Sequence, residues 1–390
     1  MTVATPVSRP IRLPRWRELW FRLHGWLGLA AGSVLVLIGL SGAVLAFRDE
    51  LIDGLNPGGR QVAPSTAPVL SPPALLQAVR RDHGGRAVGT LALFRRPGAA
   101  ARVIFEPAAG ERRGETVYLD PYSGRALPPL VGGEFFESTE ALHRWLLLPR
   151  EPGRVATGVL AASLLLMAVT GLYLRWPRRR ALQWRAWLTI DPKLKGRPYL
   201  RALHAVLGSC CLAMYLVSTS TGLYWAFDAV RDGVDALVGE ARPAARAQPA
   251  GTPRPRAAAR TDAAAADIAP AWAGFERQAG AAGWSEVIVR VPAGAAATVL
   301  FTWLDAHPAH ERARNRMIVR QADGSVVQDD RYEAKSAGQR FVASIYPLHL
   351  GTYFGLPGRL LMLAAALMLP VFAVTGWLLY LKRRRQTRIS

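Results

Sequence analysis

"LHGWLGLAAGSVLVLIGLSGAVLAF" occupies Leu23–Phe47, and "LHAVLGSCCLAMYLVSTSTGLYWAF" occupies Leu203–Phe227. Each opens on Leu-His, continues without a charge, and reaches a small hydroxylated residue followed by glycine. The step is Ser41-Gly42 in the first and Thr221-Gly222 in the second, and each glycine stands 18 residues after its histidine. A run of about 20 apolar residues crosses a bilayer core. Two more runs of that kind lie near 155–176 and 360–381, again without an interior charge. The fold class that follows is membrane α-helical, with four transmembrane helices.

The 390 residues carry a net charge of +21, and its placement decides what it means. Residues 1–23, 175–201 and 382–390 hold 19 Arg/Lys against only Glu18 and Asp191. The long segments 48–150 and 228–345 are almost neutral. Cations confined to short segments on one side of the spans obey the positive-inside rule. The excess is therefore topology, and nucleic acid is excluded as a partner. Both termini and the connector are expected in the cytoplasm of a bacterial cell, with the long segments in the periplasm and the spans in the inner-membrane lipid. The first run is too long for the apolar part of a cleaved signal peptide, so it reads as an anchor. The two cysteines, Cys210 and Cys211, are adjacent within the third run, where a helix points them apart and a disulfide is not expected.

The second and fourth runs also match. One ends "AVTGLYLRWPRRR" (Ala168–Arg180), the other "AVTGWLLYLKRRR" (Ala373–Arg385), and Leu142-His143 and Leu348-His349 stand upstream of them. Both halves thus read histidine, helix, outer segment, histidine, helix. The reading is a tandem duplication, about 1–190 and 191–390, whose halves share orientation and are related by a pseudo-twofold axis along the membrane normal.

In the first outer segment "PALLQAVRRDH" has a helical apolar face, and "RAVGTLALFRR", "ARVIFEP" and "GETVYLDPYSGRAL" alternate as strands. In the second, "WSEVIVRVP", "ATVLFTWLD" and "NRMIVRQADGSVVQDDRY" read as strands with an Asp-Gly hairpin. These readings divide the chain into a basic N-terminus with the first span (1–47), a first outer α+β domain (48–150), and the second span (151–177). A cytoplasmic connector (178–200) and the third span (201–227) follow. A second outer α+β domain (228–345) contains a Pro/Ala-rich mobile linker at 241–270. A pre-helix segment with the fourth span (346–381) and a basic tail (382–390) complete the chain.

A helix-plus-meander domain ending "VYLDPYSGRAL", set between helices carrying "LH…G" and "VTG", resembles the PepSY-associated transmembrane family over nearly the whole chain. In layout it is similar to the inner-membrane siderophore reductases of the FoxB kind. The resemblance implies two PepSY-like periplasmic domains, two b-type haems on membrane histidines, and outward electron transfer to ferric siderophores. PepSY domains are also similar to peptidase-inhibitory propeptides. The alternative is therefore a non-catalytic, membrane-anchored regulator or peptidase-inhibitory module.

Four of the seven histidines stand at span boundaries. His24 and His204 begin the outward-going helices, and His143 and His349 precede the inward-going ones. A twofold axis would bring each pair together, one near each face. Two neutral imidazoles without sulfur or carboxylate partners suit the axial positions of haem iron, whereas a structural zinc would want four ligands. The expected cofactors are two haem b, held by His24 and His204 and by His143 and His349. Each hydroxyl-glycine step is level with one pair, and its glycine is expected to let a macrocycle approach the backbone. His83, His307 and His310 are expected to be solvated loop residues. After His349, "GTYFGLPG" offers Tyr353 and Phe354 as a docking floor for the substrate. No flavin or nicotinamide motif is present, so the electron donor stays open among a quinol, reduced flavin and a cytoplasmic reductase.

Overall fold

A computed structural model describes residues 15–108, 114–177, 183–239, 267–280, 282–292 and 297–387. In chain order the helices are α1 (Arg15–Ala46), α2 (Arg48–Leu55), α3 (Pro72–Asp82), α4 (Gly133–Trp145), α5 (Arg150–Arg175) and α6 (Trp184–Leu188). They continue with α7 (Gly196–Ala226), α8 (Asp228–Leu237), α9 (Ala269–Phe275), α10 (Ala337–Leu350) and α11 (Gly355–Thr387). The strands are β1 (Val88–Phe94), β2 (Ala101–Phe105), β3 (Thr116–Leu119), β4 (Trp284–Arg290), β5 (Thr298–Asp305), β6 (Asn315–Arg320) and β7 (Val326–Asp330). They form two compact units. One comprises Met1–Ala46, Glu137–Arg231 and Leu348–Ser390, and the other comprises Phe47–Phe136 and Asp232–Pro347.

The first unit is a four-helix bundle. Trp16–Ala46, Arg150–Arg175, Gly196–Ala226 and Thr352–Gln386 are long and apolar enough to cross a membrane. Two of these helices start well before the apolar runs, because "RWRELWFR" and "GRPYLR" contain nothing that breaks a helix after its first turn. Helix α1 packs against α5 and α11, and α7 packs against the same two. Helices α1 and α7 therefore face each other across a diagonal. A small apolar core of Cys211, Tyr215, Ala365 and Leu369 lies within the bundle, where the Tyr215 hydroxyl donates to the Ala365 carbonyl at 2.8 Å.

His143 and His349 sit on helices of their own, α4 and α10, rather than at the starts of α5 and α11. Each helix ends in a left-handed turn that reverses the chain. Gly351 (φ 80°) supplies it in one case. In the other, Leu146 (φ 54°) and Leu147 (φ 59°) adopt the conformation despite their side chains, at a local cost in strain.

The second unit is one antiparallel sheet in the order β3-β2-β1-β4-β5-β6-β7. Each long segment contributes one end of it, joined where Leu91 pairs with Val289 and Leu93 with Val287. The sequence reading of two separate outer α+β domains is corrected here to a single sheet. Its cause is the open edge that each meander would leave. Strands β1 and β4 would each be exposed edges of their own meanders, and pairing them satisfies both edges and continues one apolar face. That face carries Val103, Leu91, Val289, Phe301 and Met317, all fully buried, and α3 and α9 contribute Leu75, Leu76, Ala271 and Phe275 to the same core. Asp323 accepts from the Ser325 amide at 2.9 Å in the hairpin between β6 and β7. The linker expectation falls, as far as residue 266, outside the described residues.

One sheet makes a specific prediction. Leu91→Ala should destabilise this unit by about 2–5 kcal/mol. Hydrogen exchange should then accelerate in β2 and β5 together. Protection lost from β1–β3 alone would indicate two independent modules.

Candidate cofactor site in the bundle

The four boundary histidines meet in two pairs, each taking one residue from each half of the chain. The ring centroids of His24 and His204 are 6.3 Å apart with an interplanar angle of 76°. Those of His143 and His349 are also 6.3 Å apart, at 68°. The first pair lies near the starts of α1 and α7, and the second near their ends. From His24 to Ser41, a rise of about 1.5 Å per residue sets the two levels about 25 Å apart.

Each imidazole is held by the hydroxyl of one hydroxyl-glycine step in its own half. His24 Nδ1 lies 3.0 Å from Thr170 Oγ1, and His204 Nδ1 lies 2.7 Å from Thr375 Oγ1. His349 Nδ1 lies 2.8 Å from Thr221 Oγ1, and His143 Nδ1 lies 3.3 Å from Ser41 Oγ and 2.9 Å from the Ile38 carbonyl. All four hydroxyl residues are buried.

The hydrogens can be assigned from these partners. A hydroxyl has one hydrogen to give. Each of the four donates it to the carbonyl one helical turn back, to Leu37, Leu166, Val217 and Val371, at 2.7 Å in every case. Each can therefore only accept from its imidazole, so Nδ1 carries the proton in all four rings. The lone pair is left on Nε2. A histidine whose Nδ1–H is fixed by an acceptor is the form that binds a metal through Nε2. Outside the spans, burial pushes the imidazoles of His143 and His349 below the usual histidine range, His349 to about 4, which keeps them neutral.

This donor set fits an iron porphyrin. With a metal–imidazole bond of about 2.0 Å and about 1.1 Å from ring nitrogen to ring centroid, two axial imidazoles have centroids about 6.2 Å apart. Both pairs match that span. Among the described residues no group of three or more His, Cys, Asp and Glu could hold a metal ion, so an iron held by either pair would take its other ligands from a bound group.

The glycines of these steps have different surroundings. A Cβ on Gly42 would stand 2.9 Å from His143 Cε1, and one on Gly171 would stand 3.2 Å from His24 Cε1. At these two positions the glycine makes room for the imidazole edge beside the hydroxyl that holds it. At Gly222 the nearest His349 atom is 3.9 Å away, and Gly376 meets nothing within 4 Å.

Two neighbours escaped the sequence reading. The Phe372 ring lies 5.1 Å from His204, and Trp225 lies 5.2 Å from His349. Phe372 stands one helical turn before Thr375, so the helical period could have placed it on the ligand's face. Trp225 stands at a helix end, where aromatic residues are common as interfacial anchors. Tyr353 and Phe354 lie on a 3₁₀ turn, 45% and 66% exposed, with their rings 5.2 Å apart. The remaining histidines are not gathered into a site. His310 is buried rather than solvated: its Nδ1 accepts from the Arg312 amide at 3.1 Å, so its Nε2 donates to the Tyr332 hydroxyl at 3.0 Å. His83 packs against Phe105, with ring centroids 5.4 Å apart.

None of the curated proteins compared with this chain matches it. A family model described as PepSY-associated TM region matches residues 21–383, which takes in both histidine pairs, all four hydroxyl-glycine steps and the sheet. The chain belongs to the PepSY-associated transmembrane family.

Proposed function

We propose that this protein is a di-haem transmembrane oxidoreductase that carries electrons from the cytoplasmic side to periplasmic ferric siderophores. The observation that supports it is the pair of facing-imidazole sites, one near each end of the bundle, with every Nδ1 held by a helix hydroxyl. Two b-type haems, when bound, would supply reversible one-electron exchange. The chain's own work is to hold them. His24 and His204 are the ligands on the cytoplasmic side, and His143 and His349 are those on the periplasmic side. One site near each face shortens a crossing that a single cofactor could not span across a core of about 30 Å.

The cationic segments support the orientation, with both termini and the connector on the cytoplasmic side of the inner membrane. The matched helices of the two halves support the tandem pseudo-twofold arrangement. At the periplasmic side each Fe(III) of a siderophore gains one electron. The resulting Fe(II) is held more weakly by hard oxygen donors and is released. Tyr353 and Phe354 offer flat apolar contacts for the chelate near the start of α11. The electron donor is a quinol, reduced flavin or a cytoplasmic reductase.

Three outcomes test this reading. The purified chain should contain two b haems. His204→Ala should remove one of them, and adding His24→Ala should remove little more, because ligands of one site act as a unit. His349→Ala should remove the other. A colourless chain would favour the non-catalytic regulator. For orientation, reporters fused after Arg180 and Ser390 should stay inside while those at Pro128 and Pro249 are exported. An exported C-terminus would contradict the assignment of faces. For docking, alanine at both Tyr353 and Phe354 should slow oxidation of the prereduced protein by ferric siderophore with both haems retained. Unchanged oxidation would move the docking surface elsewhere.

A further inference from the structure

The four imidazoles are not held equally. His143 has the Ile38 carbonyl 2.9 Å from Nδ1, closer than the Ser41 hydroxyl at 3.3 Å. His204 has no backbone acceptor of this kind among the described residues, and its contact with Thr375 Oγ1 is the shortest of the four, at 2.7 Å. Thr375 is itself 4% exposed and gives its hydrogen to Val371.

We propose that Thr375 is a positioning residue for the His24/His204 site, locking His204 with its proton on Nδ1 and holding the iron bound there at a lower potential. The physical basis is the direction of that hydrogen bond. An acceptor on Nδ1–H leaves the ring more electron-rich at Nε2, which favours ferric over ferrous iron. Without the hydroxyl, a buried N–H would lose its acceptor, and either the ring loses its anchorage or the ligand weakens. His143 keeps the Ile38 carbonyl when the Ser41 hydroxyl is removed. The same substitution therefore does more at Thr375 than at Ser41. This inference rests on the di-haem reading.

The test is potentiometry of the full-length, haem-loaded protein in detergent, followed by the Soret and α bands, for wild type, Thr375→Val, Thr375→Ser and Ser41→Ala. Valine keeps the shape of threonine without the hydroxyl. Thr375→Val should move one haem to a more positive potential, with a roughly fivefold higher ferrous-to-ferric ratio at fixed ambient potential, the effect of one ordinary hydrogen bond. Thr375→Ser should restore the wild-type value, and Ser41→Ala should shift the other haem less. Selective loss of one haem in Thr375→Val, recovered in Thr375→Ser, supports the proposal equally. An unchanged potential in Thr375→Val with both haems bound overturns it. So does a shift in Ser41→Ala as large as that in Thr375→Val, equal behaviour of the valine and serine variants, or loss of both haems in each. Wild-type protein that binds no haem overturns the di-haem reading first, and this inference with it.

Discussion

The structure of the bundle depends on the hydrogen bond between a histidine Nδ1–H and a helix hydroxyl, made four times. A buried imidazole without a partner would be costly, and a hydroxyl free to rotate could not fix a tautomer. Here the hydroxyl's own hydrogen is committed to its helix, so the direction of the bond is forced. The bond ties α1 to α5 and α7 to α11 at one level, and α4 to α1 and α10 to α7 at the other. Those ties point every Nε2 away from its anchoring helix. Where the glycine of the step approaches an imidazole closely, at Gly42 and Gly171, any side chain would displace the ring that the neighbouring hydroxyl holds.

Neither half of the chain completes anything alone. Each histidine pair takes one ring from each half, although each ring is anchored within its own half. The sheet follows the same rule, since β1 from the first long segment and β4 from the second share its central pairing. Folding of one half would leave two unpaired imidazoles in the bundle and an open apolar edge on the sheet. Both units are thus joint products of the two segments.

Much of this is legible in the sequence. Apolar length and the confinement of cations announced four spans, and the recurring Leu-His and Val-Thr-Gly steps announced which histidines correspond. The pairing of His24 with His204 and of His143 with His349 follows from the expectation that equivalent residues of two matched halves meet. The division of the outer segments was misread, because alternation in "GTLALF" and "SEVIVR" shows that strands exist and which faces are apolar, and says nothing about which strands pair. The role of the hydroxyls was also hidden. Ser41 and Thr170 read equally well as small packing residues, and only the Nδ1 contacts reveal that they orient a ligand. His310 looked solvated because its acceptor and donor partners, Arg312 and Tyr332, come together only when β6 and the chain after β7 fold. Trp225 was indistinguishable from any aromatic at a helix end.

The central claim is that each histidine pair supplies both axial ligands of one iron. The measurement that tests it most directly is low-temperature electron paramagnetic resonance of the oxidised, full-length protein. The account predicts two low-spin ferric signals of the highly anisotropic kind, because the ligand planes lie at 76° and 68°, nearer perpendicular than parallel. It also predicts that His24→Ala abolishes one signal and His143→Ala the other. A high-spin ferric signal from either site of the unmodified protein, or no haem signal at all, would contradict it.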